Sequence, residues 1–174
     1  MRETLLLDVP HRQVVFTIPR MLRIFFKYKR RLLGSLCQAA VQTLLKYFQA
    51  ITGEELVPGV VASIQTFGQK INLHPHIHCL VTEGGEDSEG TFHHLASFQD
   101  SLLAEFFSRE VFALLLGEEL ISEALVEKIE EVCRILGAFI IPIDSLAHLP
   151  LFFAQLDSRH MIFYHSFIRC PVSS

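Results

Sequence analysis

The chain has 174 residues, half of them hydrophobic and a fifth charged, with 15 Lys and Arg against 19 Asp and Glu. This length, with a mean hydropathy of +0.35, predicts one folded domain and excludes a disordered or linker-dominated protein. The four cysteines form no Cys-x-x-Cys pair, and residues 1–10 are too acidic for a signal peptide, so we expect a cytoplasmic protein without a disulfide framework.

Strand and helix patterns follow one another in an α+β order. β-branched and aromatic residues indicate strands, and apolar residues that recur every three or four positions indicate helices. The predicted elements, in chain order, are a strand over 12–18, a helix over 29–51, strands over 60–67, 76–82 and 91–95, and helices over 98–116 and 122–135. Because the second and third strands are joined by a short link that contains glycine, we expect an antiparallel sheet.

Positive charge is concentrated in the first half of the chain. Residues 1–82 contain ten Lys and Arg against four Asp and Glu, whereas the remainder contains five against fifteen. Six cations are interleaved with aromatic residues in one short segment, and they are Arg20, Arg23, Lys27, Lys29, Arg30 and Arg31. Cations beside aromatic rings are typical of a surface that binds single-stranded nucleic acid. The six cations are therefore candidate DNA contacts, with a solvated helix face as the alternative.

The last part of the chain is apolar without a clear period. Between residues 135 and 153 the only charged residue is Asp144. A run of this length raises the question of a membrane span, but the acid and the two prolines, Pro142 and Pro150, oppose one. We therefore expect no membrane partner, and residues 133–174 are predicted to be an irregular or helical apolar tail.

The strongest chemical signal is a group of histidines in the third predicted strand. Residues two apart on a strand point to the same side with Cα atoms about 6.6 Å apart, so His76 and His78 can reach one cation. Ile77 between them faces the opposite side and is expected in the core. Two imidazoles side by side in an apolar strand are costly to bury without a shared role. The third ligand stays open among three candidates, which are Gln65, His74 and His11.

His76-Ile77-His78 is a His-hydrophobe-His (HUH) motif, and three other segments accompany it. They are His-Arg-Gln-Val-Val-Phe-Thr-Ile-Pro at 11–19, Tyr-Lys-Arg-Arg-Leu-Leu at 28–33, and Ser-Ile-Gln-Thr-Phe-Gly at 63–68. Taken in this order, the four segments resemble the two-tyrosine, rolling-circle transposases of the insertion-sequence ninety-one family. The resemblance covers residues 8–132 and implies an HUH endonuclease-like antiparallel sheet, with the His-Ile-His strand central and helices packed on it.

The resemblance also implies an activity, which is the cleavage and joining of single-stranded DNA at the ends of an element. The histidine pair would hold a divalent cation, Mg²⁺ or Mn²⁺, on the scissile phosphate. A tyrosine would attack that phosphate to leave a 5′-phosphotyrosine and a free 3′-hydroxyl, so no nucleotide cofactor is needed. Two other functions stay open, which are a DNA-binding remnant without catalysis and an unrelated metal hydrolase built on the same His-x-His strand.

The nucleophile of that reaction is not assigned in this sequence. Its three tyrosines are Tyr28, Tyr47 and Tyr164, and none lies in a segment that resembles the paired-tyrosine motif of the family. Composition also changes abruptly near 132–135. We therefore hypothesise a truncated copy in which 8–132 form part of the catalytic domain and 133–174 are an unmatched, possibly frameshifted tail, and we expect this copy to be inactive. The oligomeric state stays open.

Overall fold

A computed structural model describes residues 9–67, 73–95, 97–136, 140–143 and 161–164. The strands in these ranges are β1 His11–Thr17, β2 Val60–Phe67, β3 Leu73–Thr82, β4 Gly84–Glu86, β5 Phe92–His94, β6 Ile140–Ile143 and β7 Met161–Tyr164. The helices are α1 Arg23–Tyr28, α2 Leu32–Thr52, α3 Asp100–Gly117 and α4 Glu123–Leu136, and a 3-10 turn, Arg20–Leu22, precedes α1. The α+β class predicted from the sequence is confirmed.

Five strands form one antiparallel sheet in the order β6-β1-β3-β2-β7. The histidine strand β3 is central, as predicted, and pairs with β1 on one side and β2 on the other. In this register His76 lies opposite Thr17 on β1 and Gln65 on β2. β4 and β5 form a separate two-stranded sheet. The register places polar residues of three strands on one face of the sheet.

The other face of the sheet packs against the helices. Ile77 and Cys79 of β3 are fully buried in the core together with residues of α2 and α3. Phe16 of β1 contacts Phe107 of α3 with a distance of 4.6 Å between ring centroids. The Tyr47 hydroxyl accepts a hydrogen bond of 2.6 Å from the backbone N–H of Gln99, where the chain enters α3. Burial of these side chains is the main stabilising contribution to the domain.

The long helix differs from its prediction at one end. α2 begins at Leu32 rather than at residue 29, because a separate short helix, α1, occupies part of the basic segment. Pro19 fixes the backbone after β1 and the chain then turns directly into the 3-10 turn and α1, which the sequence analysis did not predict. The other end agrees, because Gly53 adopts the left-handed conformation with φ of 70° and its N–H bonds the Gln49 carbonyl.

The tail differs from the expectation of an irregular or helical segment. Two pieces of it are strands, β6 on the free side of β1 and β7 on the free side of β2. An unpaired strand edge presents a row of free N–H and C=O groups. These groups form backbone hydrogen bonds with an extended apolar segment, even where that segment has no alternating pattern. Within the described residues, no helix is both long and apolar enough to cross a membrane.

Candidate functional site

Three histidines of β3 lie in a row on the face of the sheet that is opposite to the core. The ring centroids of His74 and His76 are 5.2 Å apart, and those of His76 and His78 are 5.0 Å apart. Ile77 between the second and third histidine is buried on the other side. The side chains of β3 therefore alternate between the two faces as the sequence predicted. This alternation leaves neighbouring imidazoles close enough to bind one cation.

The imidazole of His76 is held by its own strand. Its Nδ1 lies 2.6 Å from the backbone carbonyl oxygen of His74. A carbonyl oxygen can only accept a hydrogen bond, so Nδ1 must donate and the proton of the neutral ring is fixed on that nitrogen. Nε2 of His76 then carries a lone pair, which is the arrangement that metal-binding histidines use.

His78 is the more buried of the pair. Burial, and then the positive charge of the neighbouring His76, lower the pKa of His78 to about 4. The ring is therefore neutral at pH 7, as a metal ligand must be. Its Nδ1 lies 3.0 Å from Nε2 of Gln13, a buried residue of β1. The pKa of His74 is also lowered, by burial and by the charges of Arg23 and His76.

The three candidates for a third ligand lie at different distances from the histidine pair. Gln65 is directly opposite His76 on β2, so their side chains share a face. His11 is opposite Thr82, about 13 Å along β1 from the position that faces His78. His74 adjoins His76 on β3, with 5.2 Å between their ring centroids. Within the described residues, no group of three or more His, Cys, Asp or Glu side chains is already arranged to hold a metal. Gln65 is thus the candidate that the register places beside the pair on a neighbouring strand.

The six predicted DNA-contact cations are not equivalent in the structure. Glu118, which follows α3, pairs with Arg31 through both guanidinium NH groups and lies 3.8 Å from Lys29. The Nε of Arg23 donates to the Ile18 carbonyl, and Lys27 lies 5.5 Å from the ring centroid of Tyr28. Arg20 and Arg30 are exposed, and neither forms an ion pair with another described residue.

An open cleft of about 690 Å³ lies between the basic segment and the end of β2. Its lining comes from the residues just before α2, the first turn of α2 and the end of β2, and it consists of Arg30, Arg31, Leu33, Gly34, Ile64, Gln65, Thr66 and Phe67. Within the described residues, the pairing of β7 with β2 ends at Ser63, and the cleft is lined by residues of β2 that follow it. Phe67 is 56% exposed at the mouth. The cleft therefore combines two cations, an exposed aromatic ring and a candidate metal ligand.

The three tyrosines lie in different environments. Tyr28 is 74% exposed on α1, whereas Tyr47 is fully buried on α2. The backbone of Tyr164 belongs to β7. Among the described side chains, neither Tyr28 nor Tyr47 has a contact with the histidine pair.

Two residues of the site were missed by the sequence analysis. Gln13 is an amide on a strand that is otherwise mainly apolar, and it lies on the same face of β1 as Val15. This was a usable signal, because a buried amide needs a hydrogen-bond partner. Glu118 gave no such signal. Its partner Arg31 is 87 positions away in the chain, and only the folded structure brings the two together.

The fold and the site define an α+β protein with paired histidines on the central strand of its sheet. Residues 59–134, which include β2, β3 and the pair, match the family described as "Putative transposase". The chain is 36% identical over 95 residues to the transposase for insertion sequence element IS801 of Pseudomonas savastanoi pv. phaseolicola, a match that covers 55% of this chain and 22% of the relative. It is 34% identical over 93 residues to the "Putative transposase y4qJ" of Sinorhizobium fredii, which covers 52% and 23%.

The chain is thus similar to insertion-sequence transposases over about half of its length, and the resemblance to transposases found in the sequence is confirmed. It spans about a fifth of the length of these two relatives, 22% and 23%. No solved structure matches the chain.

Proposed function

We propose that this protein supplies the metal-binding and DNA-binding part of an HUH-type transposase. His76 and His78 would hold a divalent cation, with the Gln65 amide oxygen as third ligand, against a phosphate of single-stranded DNA. The observation that carries the proposal is the pair of same-face imidazoles, 5.0 Å apart, of which His76 has its Nδ1 proton held by a backbone carbonyl. Two imidazoles and an amide oxygen suit Mn²⁺ better than Mg²⁺, which prefers an all-oxygen shell.

Bound there, the cation would neutralise charge on the scissile phosphate and on the leaving 3′-oxygen. The chain's own part is to position the cation and, through it, the phosphate. The strand fixes the spacing of His76 and His78, and β2 carries Gln65 to the same place through its pairing with β3. The lowered pKa of His78 keeps this ring neutral at pH 7, which metal binding requires. The attacking tyrosine is not assigned to this chain, so we expect the chain alone to bind DNA without forming a phosphotyrosine.

The cleft beside Gln65 supports a path for the DNA strand. Arg30 and Arg31 line it and can contact phosphates, while exposed Phe67 offers a ring on which a base can stack. Because Gln65 belongs to both the cleft and the candidate metal site, a strand that follows the cleft would bring a phosphate to the histidine pair. A single strand is the favoured ligand, since only unpaired bases expose their faces for stacking.

The Arg30→Ala variant tests this DNA path. Loss of one phosphate contact should weaken binding of a single-stranded oligonucleotide roughly fivefold and reduce the slope of log K against log salt by about 0.7. Fluorescence anisotropy titrations at several salt concentrations measure both quantities. Arg109→Ala is the matched control, because Arg109 is an exposed cation on α3 that pairs with Glu105. Equal effects of the two substitutions would remove the cleft from the interface.

The Glu118→Gln variant is expected to strengthen DNA binding. Glu118 neutralises Arg31 and lies close to Lys29, so removal of its charge makes both cations available to phosphates. We expect affinity for the same oligonucleotide to rise roughly threefold and its salt dependence to become steeper. Glu105→Gln removes the same charge from α3 beside Arg109 and provides the comparison. An unchanged affinity for Glu118→Gln would show that Arg31 and Lys29 do not contact DNA.

A further inference from the structure

Gln13 contacts the histidine pair from the neighbouring strand. It lies on β1, is only 7% exposed, and its amide nitrogen Nε2 is 3.0 Å from Nδ1 of His78. The pairing of β1 with β3 produces this contact, because Gln13 is opposite Leu80 and thus diagonal to His78 on the same face. Within the described part of the chain, the amide oxygen Oε1 of Gln13 is buried without a hydrogen-bond partner.

The two ends of this amide have opposite consequences for His78. An amide nitrogen can only donate, so with Nε2 facing Nδ1 the neutral imidazole carries its proton on the other nitrogen, which then cannot bind a metal. Rotation of the amide by about 180° exchanges the oxygen and the nitrogen in nearly the same volume. The oxygen then accepts a hydrogen bond from Nδ1–H, and Nε2 of His78 carries the lone pair.

We infer that Gln13 is a positioning residue for His78, whose amide rotates to accept the Nδ1 proton when a divalent cation binds. This inference rests on the proposed metal site and adds a residue to it. Gln13 would do for His78 what the His74 carbonyl does for His76. The difference is that a carbonyl fixes one tautomer permanently, whereas an amide allows both. The ligand nitrogen of His78 is thus made available at the moment of binding.

Two substitutions at Gln13 separate this role from simple packing. Gln13→Glu replaces the amide with a carboxylate that only accepts, so His78 should carry its proton on Nδ1 even without metal. Gln13→Leu keeps the bulk and removes the hydrogen bond. Long-range ¹⁵N–¹H NMR spectra of the metal-free protein should show His78 protonated on Nε2 in the wild type and on Nδ1 in Gln13→Glu, a change that a packing role would not produce.

The metal alone, Mn²⁺, provides the second measurement. We expect Gln13→Leu to weaken Mn²⁺ binding by about 10- to 100-fold, the usual effect of removing a residue that orients a ligand, and Gln13→Glu to bind at least as tightly as the wild type. Ser63→Ala is the control, since Ser63 is buried opposite His78 on β2. Thermal unfolding checks that each variant is folded.

The outcomes distinguish this inference from the proposed function. The same His78 tautomer in the wild type and in Gln13→Glu would overturn the role of Gln13. So would Mn²⁺ binding of wild-type strength in folded Gln13→Leu. A wild type that binds no Mn²⁺ would overturn the metal site, and with it the metal-linked rotation, while the tautomers of the metal-free proteins would still report whether Gln13 controls His78.

Discussion

Replacement of both His76 and His78 by alanine is expected to lower the affinity for Mn²⁺ by more than about 100-fold while the domain stays folded. Two of the three proposed ligands are lost, and an amide oxygen alone does not hold a transition metal against water. The fold should survive because both side chains lie on the face away from the core that Ile77 and Cys79 help to form. Isothermal titration calorimetry measures the affinity, and the thermal unfolding curve measures the fold.

The chain contains its own control for this experiment. His93 and His94 on β5 are also close in sequence, and both are exposed. His93→Ala/His94→Ala removes the same two imidazoles from a site that is not part of the proposal, so Mn²⁺ binding should stay at the wild-type level. Wild-type affinity in the His76→Ala/His78→Ala variant would reject the histidine pair as the metal site. Equal losses in both double variants would indicate weak binding spread over surface histidines.

A titration with a single-stranded oligonucleotide extends this test. If the metal and the DNA share the site, the presence of the oligonucleotide should tighten Mn²⁺ binding in the wild type, because phosphate oxygens complete the coordination shell. The effect should disappear in the histidine variant, which retains the cleft and Arg30. A remnant that binds DNA without metal would show the same DNA affinity with and without Mn²⁺.

The parts of the fold that sequence predicted well are those governed by local pattern. The alternation His76, Ile77, His78 places two side chains on one face and one on the other in any strand, so the pair could be recognised without a structure. The length of β2 and the end of α2 at Gly53 were predictable for the same reason, since turn and cap residues act on their immediate neighbours.

The remaining features depend on which segments pair. Gln65 could be compared with the other candidate ligands only once the register of β2 against β3 was known, because a shift by one residue would turn its side chain to the opposite face. The contact of Gln13 with His78 spans 65 positions, and that of Arg31 with Glu118 spans 87. No periodicity encodes such contacts. The strands β6 and β7 were missed because their partners, rather than their own sequence, determine that they are extended.

Ile77→Asp is expected to unfold the domain. Ile77 is fully buried at the centre of the central strand, directly between Phe16 of β1 and Ile64 of β2. An aspartate there would have to be protonated, and with an ordinary pKa near 3.9 this costs about 4 kcal/mol at pH 7. Loss of the buried isoleucine side chain adds roughly 2 to 5 kcal/mol. The total is comparable with the whole free energy of unfolding of a domain of this size, about 5 to 15 kcal/mol.

Urea unfolding followed by circular dichroism measures this loss. Ile24→Asp is the matched control, because Ile24 on α1 is exposed and the same substitution there should change the free energy of unfolding by less than about 0.5 kcal/mol. The destabilisation by Ile77→Asp should be smaller at pH 5, where protonation of the carboxyl costs about 1.5 kcal/mol. A cooperative transition close to that of the wild type would contradict the burial of this position. Because Ile77 lies between the two histidines, its loss should remove metal binding through unfolding, whereas the histidine variant should lose the metal and keep the fold.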